Sequence, residues 1–571
     1  MTTTDQMSRL PATPESELEH ALSTLTASKA AWLRVSPARR VELLEELLAS
    51  FMAVAERWVD ASVEAEGIPP ANPMAGEEWL AGPYLVIRNL RLLHDSLADI
   101  TRGKRPALPG SVRTLPNGQV AAQVFPTSSY DRVLFSGVTA EVWMEPGVSE
   151  DSLPETQALA YFGTTSKPCV SLVLGAGNVS SIGPTDALYK LFVENKVVLF
   201  KVHPVNDYLG PLLAEGFAPL VERGFLAVVY GGAAEGAYLC AHPAVDEIHI
   251  TGSDKTVEAI VFGPGEEGRQ RKAERRPLLT KPISSELGNV SPVIVVPGPW
   301  TRADIAYHAE NLATMLANNA GFNCNAARVI VTQAGWTGRV ELLEALRAVF
   351  SRHPTRRAYY PGAVERWKAF VAAHPEAELF GESSYGRLPW TLIPHLDPDR
   401  HDDICFSTEP FAPVIAEVPL AADSTEEFLA AAVAFANERL WGTLNAGLIV
   451  HPETARTTHL ALERAVSDLR YGTVAINHWA AIGFGLISTP WGAFPGATLN
   501  DIQSGTGWVH NTYMFERAQK VVLSAPFRAR PKPPWFLSHQ NCHKLGRALT
   551  EFEASPSPWK LPGIFALALG G

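Results

Sequence analysis

The stretch Ala320-Gly-Phe-Asn-Cys-Asn-Ala-Ala-Arg328 sets a single cysteine, Cys324, among small and amide side chains. The apolar periodicity before it predicts a helix over 305–318, and the β-branched run after it a strand over 329–332. Upstream, Ser284-Ser-Glu-Leu-Gly-Asn-Val-Ser-Pro292 carries Glu286. A thiol and a carboxylate at such strand and helix ends are the pair that a covalent thioester cycle needs. The thiolate attacks a carbonyl carbon and the carboxylate later activates water. Taken alone, a cysteine flanked by small residues reads equally well as inert core, so the surrounding pattern has to decide.

That pattern is strand, turn, helix, repeated. Apolar strands are expected at 170–174, 196–201, 225–230 and 247–251, separated by helices at 184–193, 209–221 and 234–240. Short strands alternating with helices imply a parallel sheet covered on both faces, and such sheets bind nucleotides beyond the carboxyl ends of their strands. A second α/β unit follows Glu286, with strands at 293–296 and 446–450. Before the first sheet, residues 1 to about 100 read as helical, with Val41, Leu44, Leu47 and Leu48 on one stripe. Residues 118–146 alternate like a hairpin, expected to project from the body and pair with another subunit. The charged run 263–276 reads as a solvated surface loop. The tail after Ser524, rich in proline and aromatic residues, reads as an irregular strap. No internal repeat is evident.

The bulk numbers fit this picture. The chain has 571 residues, 46% hydrophobic and 19% charged, with net charge −12. That is enough chain for several domains with a large core. The negative balance, with no basic stripe, argues against nucleic acid. Cys169, Cys240, Cys324, Cys405 and Cys542 are scattered and odd in number. A disulfide framework is therefore not expected, and a reducing, cytoplasmic location is. The first residues lack a secretion-signal pattern, and no apolar run reaches the length of a membrane span. The apolar end, 561–570, is expected to dock on the protein rather than touch a membrane. The sixteen histidines show no metal-ligand spacing on a convincing helix, so no metal is expected. No nucleophilic serine elbow is present.

From about residue 35 to 500 the sequence resembles the aldehyde dehydrogenase superfamily. The family's Glu-Leu-Gly-Gly appears as Glu286-Leu-Gly-Asn289, its catalytic-cysteine turn as Gly321-Phe-Asn-Cys324, and its Phe-Thr-Gly-Ser as Ile250-Thr-Gly-Ser253. Its Glu-x-Phe-Gly-Pro appears as Glu409-Pro-Phe-Ala-Pro413, and all four occur in the family's order. The resemblance implies Cys324 as nucleophile, Glu286 as base, and Asn178 of Gly175-Ala-Gly-Asn178 as an oxyanion donor beside the backbone N–H of Cys324. It also implies a nicotinamide cofactor, NAD or NADP. Lys201 and His203 would reach its ribose or phosphate, while Gly232, Gly236 and Ser253 would let the phosphates approach. Glu409 would take the nicotinamide ribose, and Phe411 would pack by the ring.

Three positions depart from the family pattern. Pro204 stands where an acid often binds the adenosine 2′-hydroxyl, which predicts use of NADP as well as NAD. Asn289 replaces a glycine, and Trp491-Gly-Ala-Phe-Pro-Gly-Ala-Thr498 stands where the family usually has Phe-Gly-Gly-Tyr-Lys-x-Ser-Gly, close to where family substrates enter.

The expected fold is α/β, aldehyde-dehydrogenase-like. It has a discontinuous Rossmann-type cofactor domain (1–117 and 147–285, with a return segment near 480–510) and an oligomerisation hairpin (118–146). A catalytic domain (286–480) and a tail (511–571) packed on the body or a neighbouring subunit complete it. A homodimer or homotetramer is implied. The expected reaction is oxidation of an aldehyde to a carboxylic acid. Trp479, Phe484, Trp491 and Phe494 favour a hydrophobic substrate. Two alternatives stay open: an acyl-transferring or acyl-CoA-reducing enzyme using the same cysteine, and an inactive scaffold of the same fold.

Overall fold

Two sheets organise the chain. The computed structural model describes residues 10–571 except 70, 164–166 and 385. The reading of the first residues as lacking a secretion signal concerns 1–9 and lies outside the described residues.

The first sheet has six strands. Val170–Leu174 lies between Val197–Lys201 on one side and Glu247–Gly252 on the other, all parallel. Leu226–Val229 and Ile283–Leu287 extend it in the two directions. The chain therefore reverses its direction of travel across the sheet between Val170–Leu174 and Glu247–Gly252. At such a switch point the two following loops diverge and leave a crevice. The return segment reaches this sheet at Gly505–Thr506, which pairs antiparallel with Ser285 and Glu286. The strands read almost continuously apolar, as strands covered on both faces must. Val170, Leu172, Val197, Val198 and Leu199 are fully buried.

The N-terminal helices cover one face. Helix Pro37–Glu66 starts at Ser36, whose hydroxyl accepts from the N–H of Arg39, with proline at the first helical position. It stops at Gly67 in the left-handed region. The stripe read from the sequence faces inward, with Leu44 and Leu47 buried and Val41 and Leu48 partly so.

The second sheet has eleven strands. Its parallel centre runs Thr473–Ile476, Asn445–Ile449, Pro292–Val295, Val329–Gln333, Val414–Leu420 and Trp390–Ile393. Helix Arg302–Ala317, opened by a Thr301/Asp304 capping box, leads into the Cys324 loop and then into Val329–Gln333.

Four expectations need correction. The 118–146 segment does not project. Val120–Phe125 and Thr139–Met144 are antiparallel partners, but a helix, Ser129–Leu134, separates them. Thr139–Met144 also pairs with Ala518–Ser524 of the same chain, which in turn pairs with Thr473–Ile476. The segment is thus built into the main sheet, because Val142, Met144, Val521 and Leu523 must bury their apolar faces. For the same reason the 511–571 tail is not all appendage, since 518–524 is an interior strand. Nor is the stretch beyond 524 irregular throughout. Cys542–Ala554 and Leu561–Leu569 are helices, the first with Leu545, Leu549 and Phe552 on its buried side. Last, the charged run 263–276 holds a helix, Gly265–Ala273. Its Glu266–Arg269 and Glu267–Arg271 pairs supply local support that composition alone did not suggest.

Helix Cys542–Ala554 is tied down by charge as well as packing. Glu553 accepts from Arg88 at 2.5 Å and from Arg91, while Asp131 holds Arg88 from the other side at 3.0 Å. All but Arg91 are almost fully buried. Removing one carboxylate leaves guanidinium hydrogen bonds unmet, each worth about 1.5–3 kcal/mol. Glu553→Gln is therefore expected to lower the thermal unfolding midpoint and to make the 542–569 helices cleavable by protease under native conditions. Unchanged melting and cleavage would show that packing alone holds them.

Candidate functional site

Cys324 is delivered by a strained turn. Asn319, Ala320 and Gly321 have φ of 50°, 52° and 85°, a left-handed run that side-chain-bearing residues resist. Hydrogen bonds from four other segments hold it. Glu77, from helix Ala75–Ala81, accepts from the N–H of Asn319 at 2.9 Å and from Arg356 at 2.6 Å. The Asn319 amide donates to the carbonyl of Asn178 at 2.7 Å and accepts from the Tyr359 hydroxyl at 2.7 Å. Buried Arg328 donates to the carbonyls of Gly321 (2.7 Å) and Ala412 (2.8 Å). At Gly321 a side chain would press on the Ala412 carbonyl at 3.0 Å.

The carbonyl of Cys324 is fixed from the other side, and this accounts for Asn289. The Asn445 amide donates to the Cys324 carbonyl at 3.3 Å and to Asn289 Oδ1 at 3.1 Å. Asn289 returns a bond to the Asn445 carbonyl at 2.9 Å. Opposite lies Gly442 (φ +92°), where a Cβ would meet that of Asn289 at 2.5 Å. The side chain gained at 289 is matched by the one missing at 442.

Glu286 ends strand Ile283–Leu287 and is almost fully buried, with Oε1 lacking a partner among the described residues. Burial above all, then the nearby Asp186 and Glu409 carboxylates, push its carboxyl up to about 8, against a lowering influence from the Trp491 and Cys324 side chains. Burial likewise lifts the Cys324 thiol well above its ordinary range, with Glu286 and Glu409 adding to the rise. Asp186 is itself buried and accepts from the Thr251 hydroxyl at 2.9 Å.

Two cavities meet at Cys324. The larger, about 980 Å³, opens at the switch point of the first sheet, and all ten residues singled out from the sequence line it. Lys201 donates to the carbonyl of Gly231. His203 accepts from the N–H of Val205 through Nδ1 at 3.2 Å and stacks on Tyr360. Burial first, then Lys201, bring His203 down to about 4, so the ring is neutral and its remaining N–H is at Nε2. Gly232 and Ser253 cap helices Ala233–Ala241 and Asp254–Phe262, whose N-terminal ends suit an anion. Gly236 carries no side chain beside Lys201, whose Cε lies 3.9 Å from where a Cβ would stand.

Glu409 is enclosed, its Oε1 without a partner among the described residues and its carboxyl raised by burial to about 8. Gly288 makes room for it, since a Cβ there would lie 2.0 Å from Glu409 Oε2. Phe411 packs on Tyr360 at 4.9 Å. Asn178 donates one N–H to the carbonyl of Phe322 at 2.9 Å, which leaves its second N–H for the cleft. A cleft at a switch point, two glycine-flanked helix ends and an orphaned buried carboxylate fit a dinucleotide.

The smaller cavity, about 320 Å³, lies on the far side of Cys324. Tyr84, Leu85, Trp479 and Phe484 line it, and the C-terminal segment roofs it with Trp535, Leu549 and Ile564. Trp491 and Phe494, grouped with them in the sequence, do not line it. Sequence reasoning missed Glu77, Arg328, Asp186 and this roof. Arg328 ends the Cys324 stretch itself but carries no motif signal, while Glu77, Asp186 and the roof come from elements distant in sequence from that stretch.

The thiol sits among carboxylates, which raise its pKa by repulsion. Glu409→Gln is expected to speed iodoacetamide alkylation of Cys324 in cofactor-free protein above pH 8, by up to about tenfold for one pKa unit. An unchanged or slower rate would refute the electrostatic account.

Comparison with known proteins gives one family. Residues 185–370 match the Aldehyde dehydrogenase family. The 4-trimethylaminobutyraldehyde dehydrogenase A of Danio rerio is 26% identical over 315 residues, 52% of this chain and 56% of that protein. The chain thus spans about half the length of this curated relative. Among solved structures, the NADP-dependent glyceraldehyde-3-phosphate dehydrogenase of Bacillus halodurans, complexed with NADP, is 18% identical with a TM-score of 0.59, covering 90% of this chain and 92% of that one. The NAD-dependent aldehyde dehydrogenase of Sinorhizobium meliloti is 19% identical with a TM-score of 0.58, covering 90% and 87%. At these identities the structures show a shared fold.

Proposed function

We propose that this chain, which belongs to the aldehyde dehydrogenase superfamily, oxidises an apolar aldehyde to the carboxylic acid with NAD or NADP. The observation that carries this reading is the position of Cys324 at the meeting of two cavities, one suited to a dinucleotide and one apolar. A carbonyl held at the inner end of the apolar cavity lies against the thiol and faces the cleft.

The protein's own groups account for the remaining work. The Cys324 thiol gives up its proton to solvent as its sulfur bonds to the carbonyl carbon, which leaves Glu286 free for the later step. The alkoxide that results is met by the second N–H of Asn178 and the backbone N–H of Cys324. The nicotinamide cofactor, when bound, supplies a hydride acceptor and a positive charge. With hydride lost, the carbon is held to Cys324 as a thioester. Glu286 then removes a proton from water, whose oxygen attacks that carbon and frees the acid and the thiol. The partly apolar wall around Glu286 serves this step, since a carboxyl raised to about 8 is a stronger base than an exposed one.

Pro204 lines the cleft beside His203 and offers no carboxylate to repel a 2′-phosphate. The reading therefore extends to acceptance of NADP. Pro204→Glu is expected to lower kcat/KM for NADP relative to NAD by about 1–3 kcal/mol, the scale of one charged contact. An unchanged ratio would remove Pro204 from cofactor choice.

Cys324→Ser is expected to abolish turnover. Glu286→Gln is expected to slow it by roughly 10² to 10⁴ while a burst of reduced cofactor survives. The sign of the pH dependence follows from the carboxyl at about 8. Below it Glu286 is protonated and cannot act as base, so wild-type turnover rises with pH through that region, and the rise is absent in Glu286→Gln. Wild-type hydrolysis by Glu286→Gln would instead favour release to a thiol acceptor such as coenzyme A.

The apolar cavity sets the substrate class. Across unbranched aldehydes, kcat/KM is expected to climb with each methylene by about 0.8 kcal/mol until the cavity is full. A flat series would show that the alkyl chain lies elsewhere.

A further inference from the structure

His374, Asp403 and Cys405 converge away from both cavities. One ligand atom from each lies within 4.8 Å of the other two, and all three residues are buried. His374 follows helix Ala363–Ala373 as its C-cap. Asp403 is the N-cap of the short helix Ile404–Ser407, accepting from the N–H of Cys405 at 2.8 Å. Apolar neighbours, among them Phe370, Leu396 and Phe406, share the cluster with Cys405.

Capping explains one oxygen of Asp403 but not the rest of the arrangement. Oδ1 takes the Cys405 N–H and lies 3.1 Å from His374 Nε2. Oδ2 is buried and makes no hydrogen bond among the described residues; the nearest cation, Arg400 Nη1, is 3.9 Å away. A buried carboxylate oxygen without a donor costs free energy unless something else meets it. On the far side of the ring, His374 Nδ1 lies 2.8 Å from Glu376 Oε1. A carboxylate on one ring nitrogen fixes the tautomer that leaves the other nitrogen's lone pair to a metal, the usual arrangement behind metal-bound histidine.

We propose that His374, Asp403 and Cys405 bind one divalent transition ion of zinc's class, with Glu376 orienting the histidine. The donor set decides the class. Thiolate, imidazole and carboxylate suit zinc or cobalt, whereas magnesium and calcium take oxygen donors alone. The charges also balance, because a dication with one thiolate and one carboxylate is neutral, so the ion leaves no net charge in an apolar interior. On binding, the Cys405 S–H bond is replaced by a metal–sulfur bond and its proton leaves to solvent. The imidazole stays neutral, its proton on Nδ1 toward Glu376 and its Nε2 lone pair on the metal. A water completes the four positions.

The ion ties the end of helix Ala363–Ala373 to the turn that runs into Ser407, Thr408 and Glu409, three residues that line the larger cavity. It is structural and independent of the proposed oxidation.

The test uses the full chain, stripped with chelator, reloaded with zinc and desalted. Metal analysis is expected to find one zinc per chain, and the cobalt form to show a thiolate-to-metal charge-transfer band. Both are expected to vanish in Cys405→Ser and in His374→Gln and to persist in Cys324→Ser, which separates this site from the active-site thiol. Glu376→Gln changes a half-exposed side chain and leaves the packing alone. It is expected to weaken zinc binding about 10- to 100-fold, and it stands as the probe if the buried variants fail to fold. Failure of wild type to retain zinc, a cobalt band that survives Cys405→Ser, or unaltered zinc affinity in Glu376→Gln would each overturn the proposal.

Discussion

The turn at 319–321 is the constraint on which the site depends. A left-handed run through Asn319 and Ala320 is unfavourable in isolation, and here it persists because carbonyls and N–H groups on it are claimed from several directions. Glu77 reaches it from the N-terminal helices, Asn178 from the first sheet, and Arg328 and Tyr359 from the body around the second sheet. The Cys324 loop is therefore the joint at which three parts of the chain are fastened together. A shift in any of them moves Cys324 relative to Asn178 and Glu286.

The second organising feature is dryness with negative charge. Glu286 and Glu409 stand beside one buried thiol, with no lysine or arginine among the strongest influences on Glu286 or Cys324. In this state Glu286, Glu409 and Cys324 prefer their neutral forms, which guards the thiol against adventitious alkylation or oxidation. The same crowding makes the site responsive. A single positive charge introduced among these groups would favour ionisation of all of them together.

Much of this was legible in the sequence because the signals were local. The strands of the first sheet, expected at 170–174, 196–201, 225–230 and 247–251, are observed at 170–174, 197–201, 226–229 and 247–252. Alternating apolar runs report burial directly. The ten residues picked from motifs converge on one cleft, and several of them, among them Asn178, Lys201, Gly232 and Ser253, stand at strand ends or open helices. What escaped was non-local. Glu77 lies in an ordinary-looking helix, and nothing in its neighbourhood announces that it meets a turn far along the chain. The 118–146 segment read as a projecting hairpin because alternation predicts a strand but does not name its partner, and the partner, Ala518–Ser524, comes nearly at the other end of the sequence. The prolines near 531 correctly excluded a regular ladder there, but they hid the helices beyond, whose apolar stripe begins only at Cys542.

The departures from the family pattern are best understood as matched pairs. Asn289 in place of glycine is accommodated by Gly442 and put to use through Asn445, which then holds the Cys324 carbonyl. Trp491, in the altered loop, is fully buried instead of lining the substrate entrance as its aromatic character suggested, and its Nε1–H has no hydrogen-bond partner among the described residues. With that loop turned inward, the roof of the apolar cavity falls to the C-terminal segment, and the charged clasp of Arg88, Arg91, Asp131 and Glu553 acquires a purpose beyond stability. It holds in place the wall against which an alkyl chain would pack.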